Sequence, residues 1–381
     1  MASIYMHVPF CERKCLYCDF YSVEGTSLMD RFVDSLLLEI GMYASFTPGV
    51  SFDTVYLGGG TPSLLPLRSL DEIFAHLRRT FSIADGSEIT MEVNPGSVSE
   101  EKLAAYRSLG VNRLSIGVQS FQDDELQFLS RIHSAREAQE VVGMARSAGF
   151  TNLSLDLIFA LPGQTVEVWE RNLVHALRFE PEHLSAYSLV VEDDTPLARL
   201  VRSGQVTPSP LESEARMLEF TMDFLGARGY EHYEVSNYAR PGFRSRHNSS
   251  YWTHSNYLGF GPSAHSFWRR DLDGSALRWQ NTPDLVQYID QAGSGSLPVS
   301  SEEVVSQRSL INERIFLGLR ADGVDLERLE KDFRFDFDER HREVIELLIR
   351  EDLMVTENGR LRLTPKGFLV CDEIAVKLLI P

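Results

Sequence analysis

The stretch IYMHVPFCERKCLYCDFY, residues 4–21, places three cysteines directly after a short run that favours a β-strand. Cys11, Cys15 and Cys18 fall within eight positions, in a segment that is typical of a loop at the carboxyl end of that strand. The whole chain has four cysteines, so most of its thiols stand at this one place. In a reducing compartment such a group indicates metal binding or catalysis before it indicates disulfides.

Similar strand-like runs recur through the first half of the chain and alternate with amphipathic helical stretches. The predicted strands are residues 4–8, 54–59, 88–94, 113–118, 153–159 and 183–190. The predicted helices between them are residues 29–43, 70–80, 100–109, 135–148 and 166–178. Strands separated by helices form parallel βαβ units, so we expect an α/β fold, either a barrel or an open wound sheet. In both architectures the chemistry lies at the carboxyl ends of the strands, where the cysteines stand.

The pattern changes after Pro196. We expect a helix over residues 211–228, a strand over 230–235 and a polar, aromatic-rich loop over 236–265. A linker at 292–301 would lead to three helices (303–319, 325–333 and 338–351), a hairpin turning at Asn358–Gly359 and a last helix, which together resemble a winged helix. The predicted domains are therefore residues 1–200, 201–291 and 292–381.

Composition limits the classes of function. The 381 residues include 37 basic and 55 acidic side chains, and the formal charge of −18 disfavours general nucleic-acid binding, including by the winged-helix-like region. No run approaches the roughly 20 apolar residues that span a bilayer, and the first residues do not resemble a signal peptide. The expected location is the cytoplasm.

Three readings of the cysteine triplet are open from the residues alone. Positions 11, 15 and 18 share one helical face, so they could be buried core thiols. A structural zinc ion would need four ligands, and His7 is the only candidate for the fourth near the triplet. An iron–sulfur cluster normally takes four thiolates, so three in one tight loop would leave one iron without a protein ligand.

Polar and glycine residues mark the ends of the following strands. The second strand ends in LGGGTPS, where Gly59, Gly60 and Thr61 permit close approach of a ligand or form a tight turn. Further candidates on later strands and loops are Glu92, Gln119, Arg131 and Asp156. Asp156 lies inside an apolar strand and therefore needs a partner, for which a ribose hydroxyl would be suitable. A strand-end cap or an internal hydrogen bond is the plain alternative for Glu92 and Gln119.

The Cys-x3-Cys-x2-Cys spacing after a first strand resembles the radical S-adenosylmethionine superfamily. Nearly the whole chain resembles its branch containing oxygen-independent coproporphyrinogen III oxidases and HemW-type heme chaperones, through YMHVPFC, GGGTPS, EVNP, GVQSF, DLIFALPGQT, YEVSNYARPG and GFGPSAHS. The resemblance implies a partial (β/α)6 barrel, and a [4Fe–4S] cluster on Cys11, Cys15 and Cys18 with S-adenosyl-L-methionine on the open iron. It implies a cofactor pocket lined by Tyr5, Tyr17, Gly59, Gly60, Thr61, Glu92, Gln119, Arg131 and Asp156.

Two departures from the oxidase pattern favour the chaperone branch. The oxidases have a fourth cysteine two residues after the third, and Phe20 stands there in this chain. The sequence also begins four residues before Tyr5, without the N-terminal extension of the oxidases. Porphyrinogen decarboxylation is therefore the alternative function, and we assign no catalytic residue. Cys371 reads as an ordinary core thiol outside the motif.

The segment RHNSSYW resembles the His-Asn-x-x-Tyr-Trp signature of the heme-carrying branch. It makes His247 a candidate heme ligand, since neutral imidazole binds heme iron well, with His265 as the other imidazole nearby in sequence. A histidine hydrogen-bonded in a packed loop is the plain alternative. The resemblance implies heme as cargo and heme-acceptor proteins, such as respiratory enzymes, as partners. Homodimer formation and peripheral membrane contact belong to the same resemblance, and no residue pattern here requires either.

Overall fold

The computed structural model describes residues 2–269 and 274–380, so residues 270–273 of the predicted second domain lie outside the described residues. Its strands, in chain order, are β1 Ala2–Val8, β2 Phe10–Cys11, β3 Val23–Glu24, β4 Ser51–Gly59, β5 Ser82–Val93, β6 Arg113–Gln119, β7 Leu153–Phe159, β8 His183–Ser188, β9 Glu231–Glu234, β10 Asn237–Ala239, β11 Asn256–Phe260, β12 His265–Arg269, β13 Ala276–Asn281, β14 Val299–Val305, β15 Val324–Asp325, β16 Met354–Glu357 and β17 Arg360–Leu363.

The helices pack mainly on the outer face of the large sheet and in the C-terminal unit. In chain order they are α1 Met29–Met42, α2 Leu67–Thr80, α3 Glu100–Ser108, α4 Asp123–Phe128, α5 Ala135–Ser147, α6 Val166–Leu177, α7 Pro196–Arg202, α8 Leu211–Gly226, α9 Arg246–Trp252, α10 Leu285–Gly293, α11 Gln307–Leu319, α12 Leu326–Phe333, α13 Phe337–Arg350, α14 Pro365–Phe368 and α15 Cys371–Leu378. None of the helices in the described part of the chain has the length and apolar character needed to cross a bilayer.

The six predicted strands are confirmed as the parallel centre of a larger sheet. Within the described residues twelve strands pair in the order β14-β13-β12-β11-β1-β4-β5-β6-β7-β8-β10-β9. β1 and β4 to β8 run parallel, each joined to the next by a helical crossover, as βαβ units require. β11 adds a seventh parallel strand beside β1. The predicted α/β class is therefore correct.

The two faces of this sheet differ in polarity. One residue in two along each central strand joins the apolar core under the helices, for example Leu57, Met91 and Leu155. The alternate residues face a cavity that five strands line together, for example Tyr56, Glu92 and Asp156. Because one cavity touches five strands, the sheet must curve around it. This polar inner face distinguishes it from a parallel sheet that is apolar on both sides.

The polar loop predicted for residues 236–265 is wrong. The segment contains β10, α9 and β11, and its strands extend the sheet at both ends. The linker predicted at 292–301 is also too long, because α10 continues to Gly293 and β14 begins at Val299. The aromatic residues of these strands favour β-structure, and pairing with neighbouring strands holds the polar residues between them in the sheet. The boundaries between the three predicted domains stay a prediction, since strands from residues 2 to 305 share one sheet.

The C-terminal unit has its own apolar core and a winged-helix order of elements. Its order is α11, β15, α12, α13 and then the β16–β17 hairpin, with β15 pairing to β17. Asn358 and Gly359 turn the hairpin with φ of 52° and 73°, as a type I′ turn requires. The predicted hairpin and three helices are confirmed.

Candidate functional site

A cavity of about 570 Å³ opens at the carboxyl ends of the parallel strands. This volume lies in the range of small-molecule and cofactor pockets. All three predicted metal ligands line it, namely Cys11, Cys15 and Cys18. Eight of the ten predicted binding residues line it as well: Tyr17, Gly59, Gly60, Thr61, Glu92, Gln119, Arg131 and Asp156. The sequence motifs therefore converge on one site.

The cysteines lie on a folded loop between β1 and α1, not on a helix. Short parallel pairing of β2 with β3 closes the loop, and the Val23 N–H donates to the Pro9 carbonyl at 2.7 Å. A turn brings the Cys18 N–H within 3.2 Å of the Cys15 carbonyl. All the cysteine thiols are free and partly buried. The reading of the triplet as a buried helical stripe is therefore wrong.

Arg131 connects the cysteine loop to the sheet. Its Nη1 donates toward Cys15 Sγ at 3.5 Å, and its Nη2 donates to Asn94 Oδ1 and to the Gly117 carbonyl, both at 2.9 Å. Its Nε is buried without a hydrogen-bond partner in the described part of the chain. A guanidinium tied to β5 and β6 in this way gives the loop one fixed position and leaves one N–H donor for a further acceptor.

The thiols of the cysteine loop are partly buried, and their pKa values are raised. Burial raises the pKa of Cys11 and raises that of Cys18 to about 11, so both are protonated at neutral pH unless a cation displaces the proton. Among the residues described, no three His, Cys, Asp or Glu side chains converge closely enough for a single metal ion. Three thiols that line one cavity fit a cluster.

The glycines at the end of β4 serve close contact between backbones. The Gly60 N–H donates to the Val8 carbonyl at 2.8 Å and the Thr61 N–H to the Phe10 carbonyl at 2.7 Å. A Cβ on Gly60 would lie 2.7 Å from that Phe10 oxygen, so any side chain would push the strand ends apart. These N–H groups hold β4 against the cysteine loop, while Gly59, Gly60 and Thr61 also line the cavity.

Glu92 provides an acceptor at the cavity wall. Its Oε1 accepts from the Tyr56 hydroxyl at 2.9 Å and its Oε2 accepts from the Gly59 N–H at 3.2 Å. Burial, with a smaller effect of the nearby Asp156 charge, raises the pKa of Glu92 to about 7. A ligand that brings a positive charge or an N–H donor would restore its ionised form.

Asp156 is held by serine hydroxyls on three neighbouring strands. Ser185 donates at 2.7 Å, Ser115 at 2.9 Å and Ser154 at 3.2 Å. Burial raises the pKa of Asp156, and these hydrogen bonds oppose that shift. The predicted need for a partner is confirmed, although protein hydroxyls meet it without a ribose.

Sequence reasoning missed the other inner-face residues that line the cavity, chiefly Tyr56, Arg113, Ser115, Ser185 and Tyr187. Arg113 is 2% exposed, and its Nε has no hydrogen-bond partner among the described residues. Each of these residues stands an even number of positions from a predicted site residue or from a strand partner of one. Residues two positions apart in a strand lie on the same face, so counting in twos from the predicted site residues could have identified them.

Two predicted binding residues do not line the cavity. The Tyr5 ring lies 6.1 Å from the Tyr56 ring, and its hydroxyl is bonded to His7 Nδ1. His247 is 1% exposed on α9, with Nδ1 bonded to Thr54 Oγ1 at 2.7 Å and Nε2 to the Tyr251 hydroxyl at 3.0 Å. Burial lowers the pKa of His247 to about 3, so the ring is neutral. An iron at either nitrogen would have to replace one of these bonds.

The helix α9 closes the floor of the sheet, opposite the cysteines. Its Arg246 and His247 N–H groups donate to the Glu88 carboxylate at 3.0 Å, and Ser3 Oγ donates to Ser250 Oγ at 2.9 Å. These anchors lie toward the amino ends of β1, β4 and β5, while Asn248 reaches the cavity. The RHNSSYW segment is thus anchored to the sheet, with His247 buried and Asn248 at the cavity.

His265 stands in a different setting. It is exposed at the first position of β12, and its ring makes no hydrogen bond or ion pair within the described residues. β12 runs antiparallel to β11, so His265 lies at the sheet edge where the parallel strands end, as the cysteines do. Partial burial and the nearby Arg278 charge lower its pKa, which leaves a neutral imidazole at neutral pH.

The structure also shows where Phe20 and Cys371 lie, the two positions outside the cysteine triplet that the sequence analysis discussed. Phe20 is 68% exposed at the cavity mouth, so no thiol stands at the fourth motif position. Cys371 packs at the margin of the C-terminal core and does not line the cavity, and burial raises its pKa to about 11. Cys371 therefore lies outside the motif, and it is a partly buried thiol at the edge of the core.

Comparison with known proteins identifies the family of the chain. A family description of the Radical SAM superfamily matches residues 5–173, and one of the HemN C-terminal domain matches residues 305–370. The chain is 36% identical to the heme chaperone HemW of Lactococcus lactis over 99% of its own length and 97% of the relative's. It is 35% identical to the heme chaperone HemW of Bacillus subtilis, with 98% of both chains covered.

A solved structure agrees over nearly the full length. Coproporphyrinogen III oxidase (HemN) from Escherichia coli, a radical SAM enzyme, superposes with a TM-score of 0.84 at 25% identity, covering 99% of this chain and 90% of that one. The predicted fold, a radical SAM barrel followed by a helical C-terminal unit, is thereby confirmed. The chain belongs to the HemW family of the radical SAM superfamily.

Proposed function

We propose that this protein binds a [4Fe–4S] cluster through Cys11, Cys15 and Cys18, binds S-adenosylmethionine beside it, and carries heme to acceptor proteins. The observation that supports the cofactor part is the convergence of three free thiols, Arg131 and Glu92 on one cavity of cofactor size. When bound, the cluster supplies one electron for cleavage of the sulfonium of S-adenosylmethionine. The heme part rests on the family, whose full-length relatives are named heme chaperones.

The charged residues of the cavity suit different chemical groups of the cofactor. Arg131 offers a buried donor beside Cys15, which suits an acceptor such as a carboxylate. Glu92 offers an acceptor, which suits an amino group. Asp156 and its serine partners form a polar wall for hydroxyl groups. Donor and acceptor on opposite sides would orient an amino acid in one direction, and Tyr17 and Gln119 complete the lining.

The oxidase is the alternative, favoured by the structural likeness to HemN. Phe20 argues against it. Both functions can be tested on one sample, reconstituted with iron and sulfide without oxygen, by a heme titration and a coproporphyrinogen turnover assay. We expect stoichiometric heme binding and no vinyl-bearing product. Product formation with release of 5′-deoxyadenosine would identify a working oxidase instead.

The charge state of Glu92 predicts how cofactor affinity depends on pH. Because the pKa of Glu92 is about 7, the carboxylate that accepts from an amino group is depleted below that pH. Affinity for S-adenosylmethionine should therefore fall about tenfold per pH unit below 7 and level off above it. In Glu92→Gln this part of the pH dependence should disappear, and affinity above pH 7 should fall about tenfold.

Equilibrium dialysis of the reconstituted protein across this pH range would measure it. Glu101→Gln, an exposed change on α3, is the matched control and should follow the parent. If Glu92→Gln kept the pH profile of the parent, Glu92 would not be the titrating group.

For heme, we propose His265 as the axial ligand, because it is exposed and its ring is unbonded within the described residues. His265→Ala should weaken heme binding by more than about tenfold and shift the Soret band. His247→Ala should instead lower the melting temperature, since it removes two buried hydrogen bonds and a ring stacked on Tyr56. Heme titrations and thermal melts of both variants measure this. Loss of heme in His247→Ala alone, at unchanged stability, would restore His247 as the ligand.

The remaining expectations are proposals of the same kind. We place the protein in the cytoplasm and its acceptors among heme-requiring proteins. A homodimer and peripheral membrane contact stay predictions. Sedimentation of the reconstituted protein with and without lipid vesicles would test them.

A further inference from the structure

A second cavity lies between α9 and the winged-helix-like unit, on the side of α9 away from the cysteines. Its volume is about 130 Å³, enough for a few water molecules or one small ion. One wall is the side chain of Trp252, the last residue of α9. The opposite wall carries three guanidinium groups, from Arg314, Arg328 and Arg360.

Arg314 is the buried member of this group. It is 7% exposed on α11, and its Nε and Nη2 have no hydrogen-bond partner among the residues the structure describes. Its closest anion is Asp332, whose Oδ2 lies 3.6 Å from Arg314 Nη2. The same oxygen also faces Arg269 at 3.5 Å and Arg328 at 3.7 Å. Three cations thus share one carboxylate oxygen at distances beyond an ordinary charged hydrogen bond.

The other carboxylates at this cavity are already engaged. Asp322 accepts from Arg244 Nη1 at 2.6 Å. Asp325 accepts from Arg360 Nη2 at 2.9 Å and caps α12 through the Arg328 N–H at 3.0 Å. The cavity therefore keeps an excess of positive charge with unfilled N–H donors. Burying such a donor without a partner is costly, and a small oxyanion would remove that cost.

We propose that this cavity is a binding site for a carboxylate group, held by Arg314 and covered by Trp252. A planar guanidinium edge matches a carboxylate with two parallel hydrogen bonds. The aromatic wall accommodates the short apolar part that carries the carboxylate. Burial and the charges of Arg269 and Arg328 also lower the pKa of Arg314 to about 10, as expected beside uncompensated positive charge. The site is separate from the cofactor cavity and does not depend on the proposed heme function.

Titration with sodium propionate tests the proposal, with sodium chloride at equal ionic strength as the reference salt. Trp252 is one of four tryptophans, and its emission should change saturably with propionate but not with chloride. The change should vanish in Trp252→Phe. In Arg314→Gln the midpoint should move at least about tenfold to higher concentration, since a charged hydrogen-bonding pair is lost.

Arg308→Gln is the matched control, because Arg308 is exposed on the same helix and should leave the midpoint unchanged. The absence of a saturable response in the parent protein would overturn the proposal even if Arg314→Gln failed to fold. An equal midpoint in the parent and Arg314→Gln would overturn it too. Propionate should also raise the melting temperature of the parent more than that of Arg314→Gln.

Two sources of the carboxylate are separated by a second titration, with heme and with its dimethyl ester. If a heme propionate occupies the site, Arg314→Gln should weaken heme binding and leave binding of the ester unchanged. If a free carboxylate occupies it, Arg314→Gln should change neither, while the propionate midpoint still moves. Both results support a carboxylate site, and they assign different ligands to it.

Discussion

Replacement of Cys15 by alanine should leave a folded protein that no longer assembles a cluster. Two thiolates cannot hold a cluster that is already one protein ligand short, so bound iron should drop from about four per chain to near zero. The visible absorption of the cluster and the binding of S-adenosylmethionine should be lost with it. Iron analysis and absorption spectra after anaerobic reconstitution would measure both, and Cys11→Ala and Cys18→Ala should behave alike.

Cys371→Ala is the control for this experiment. Cys371 does not line the cavity, so its replacement should leave iron content unchanged. Retention of a full cluster in Cys15→Ala would mean that another side chain completes the ligand set. Loss of the cluster in Cys371→Ala would move a ligand to the C-terminal unit. Either outcome would contradict the three-cysteine assignment.

Arg131→Met should have the next largest effect. The change keeps much of the side-chain volume but removes the donors to Cys15, Asn94 and the Gly117 carbonyl. It also removes the one buried N–H that is left for a ligand. With a charged hydrogen bond contributing about 1.5–3 kcal/mol, loss of the one that acts on the cofactor should weaken S-adenosylmethionine binding by about tenfold to a hundredfold.

Arg136→Met is the matched control, since Arg136 is exposed on α5 and pairs with Glu140. Surface pairs of this kind contribute little, so cofactor affinity should not change. The dissociation constant by equilibrium dialysis and the rate of cluster loss under a chelator should both be measured. Unchanged values in Arg131→Met would mean that Arg131 positions the cysteine loop and does not bind the cofactor.

The strands of the barrel were predictable because their pattern is local. All six central strands could be predicted from alternating apolar residues, turn residues and the amphipathic helices between them. Because the strands end at one edge of the sheet, Cys11, Glu92 and Asp156 were expected at one site. The inner-face position of Arg113 was not predicted, because an arginine at a strand start reads as an exposed end. Only the curvature of the sheet makes that position interior.

The segment from residue 236 to 305 shows where sequence reasoning fails. β11 pairs with β1 and β10 with β8, which joins residues far apart in the chain, so local propensity carries little of the signal. The difficulty in predicting the role of His247 is different. Its motif identified an unusual histidine, but whether an imidazole faces a ligand or fills a gap depends on Thr54 and Tyr251, which the motif does not locate together.

The short helix α9 has a consequence for the whole chain. Asn248 meets the cofactor cavity, and Trp252, one turn later, meets the cavity beside Arg314. The two cavities are therefore separated by one helix of seven residues. A tilt of so short a helix would move Asn248 and Trp252 together. A change in the orientation of α9 would therefore be felt at the cofactor cavity through Asn248 and at the cavity beside the C-terminal unit through Trp252.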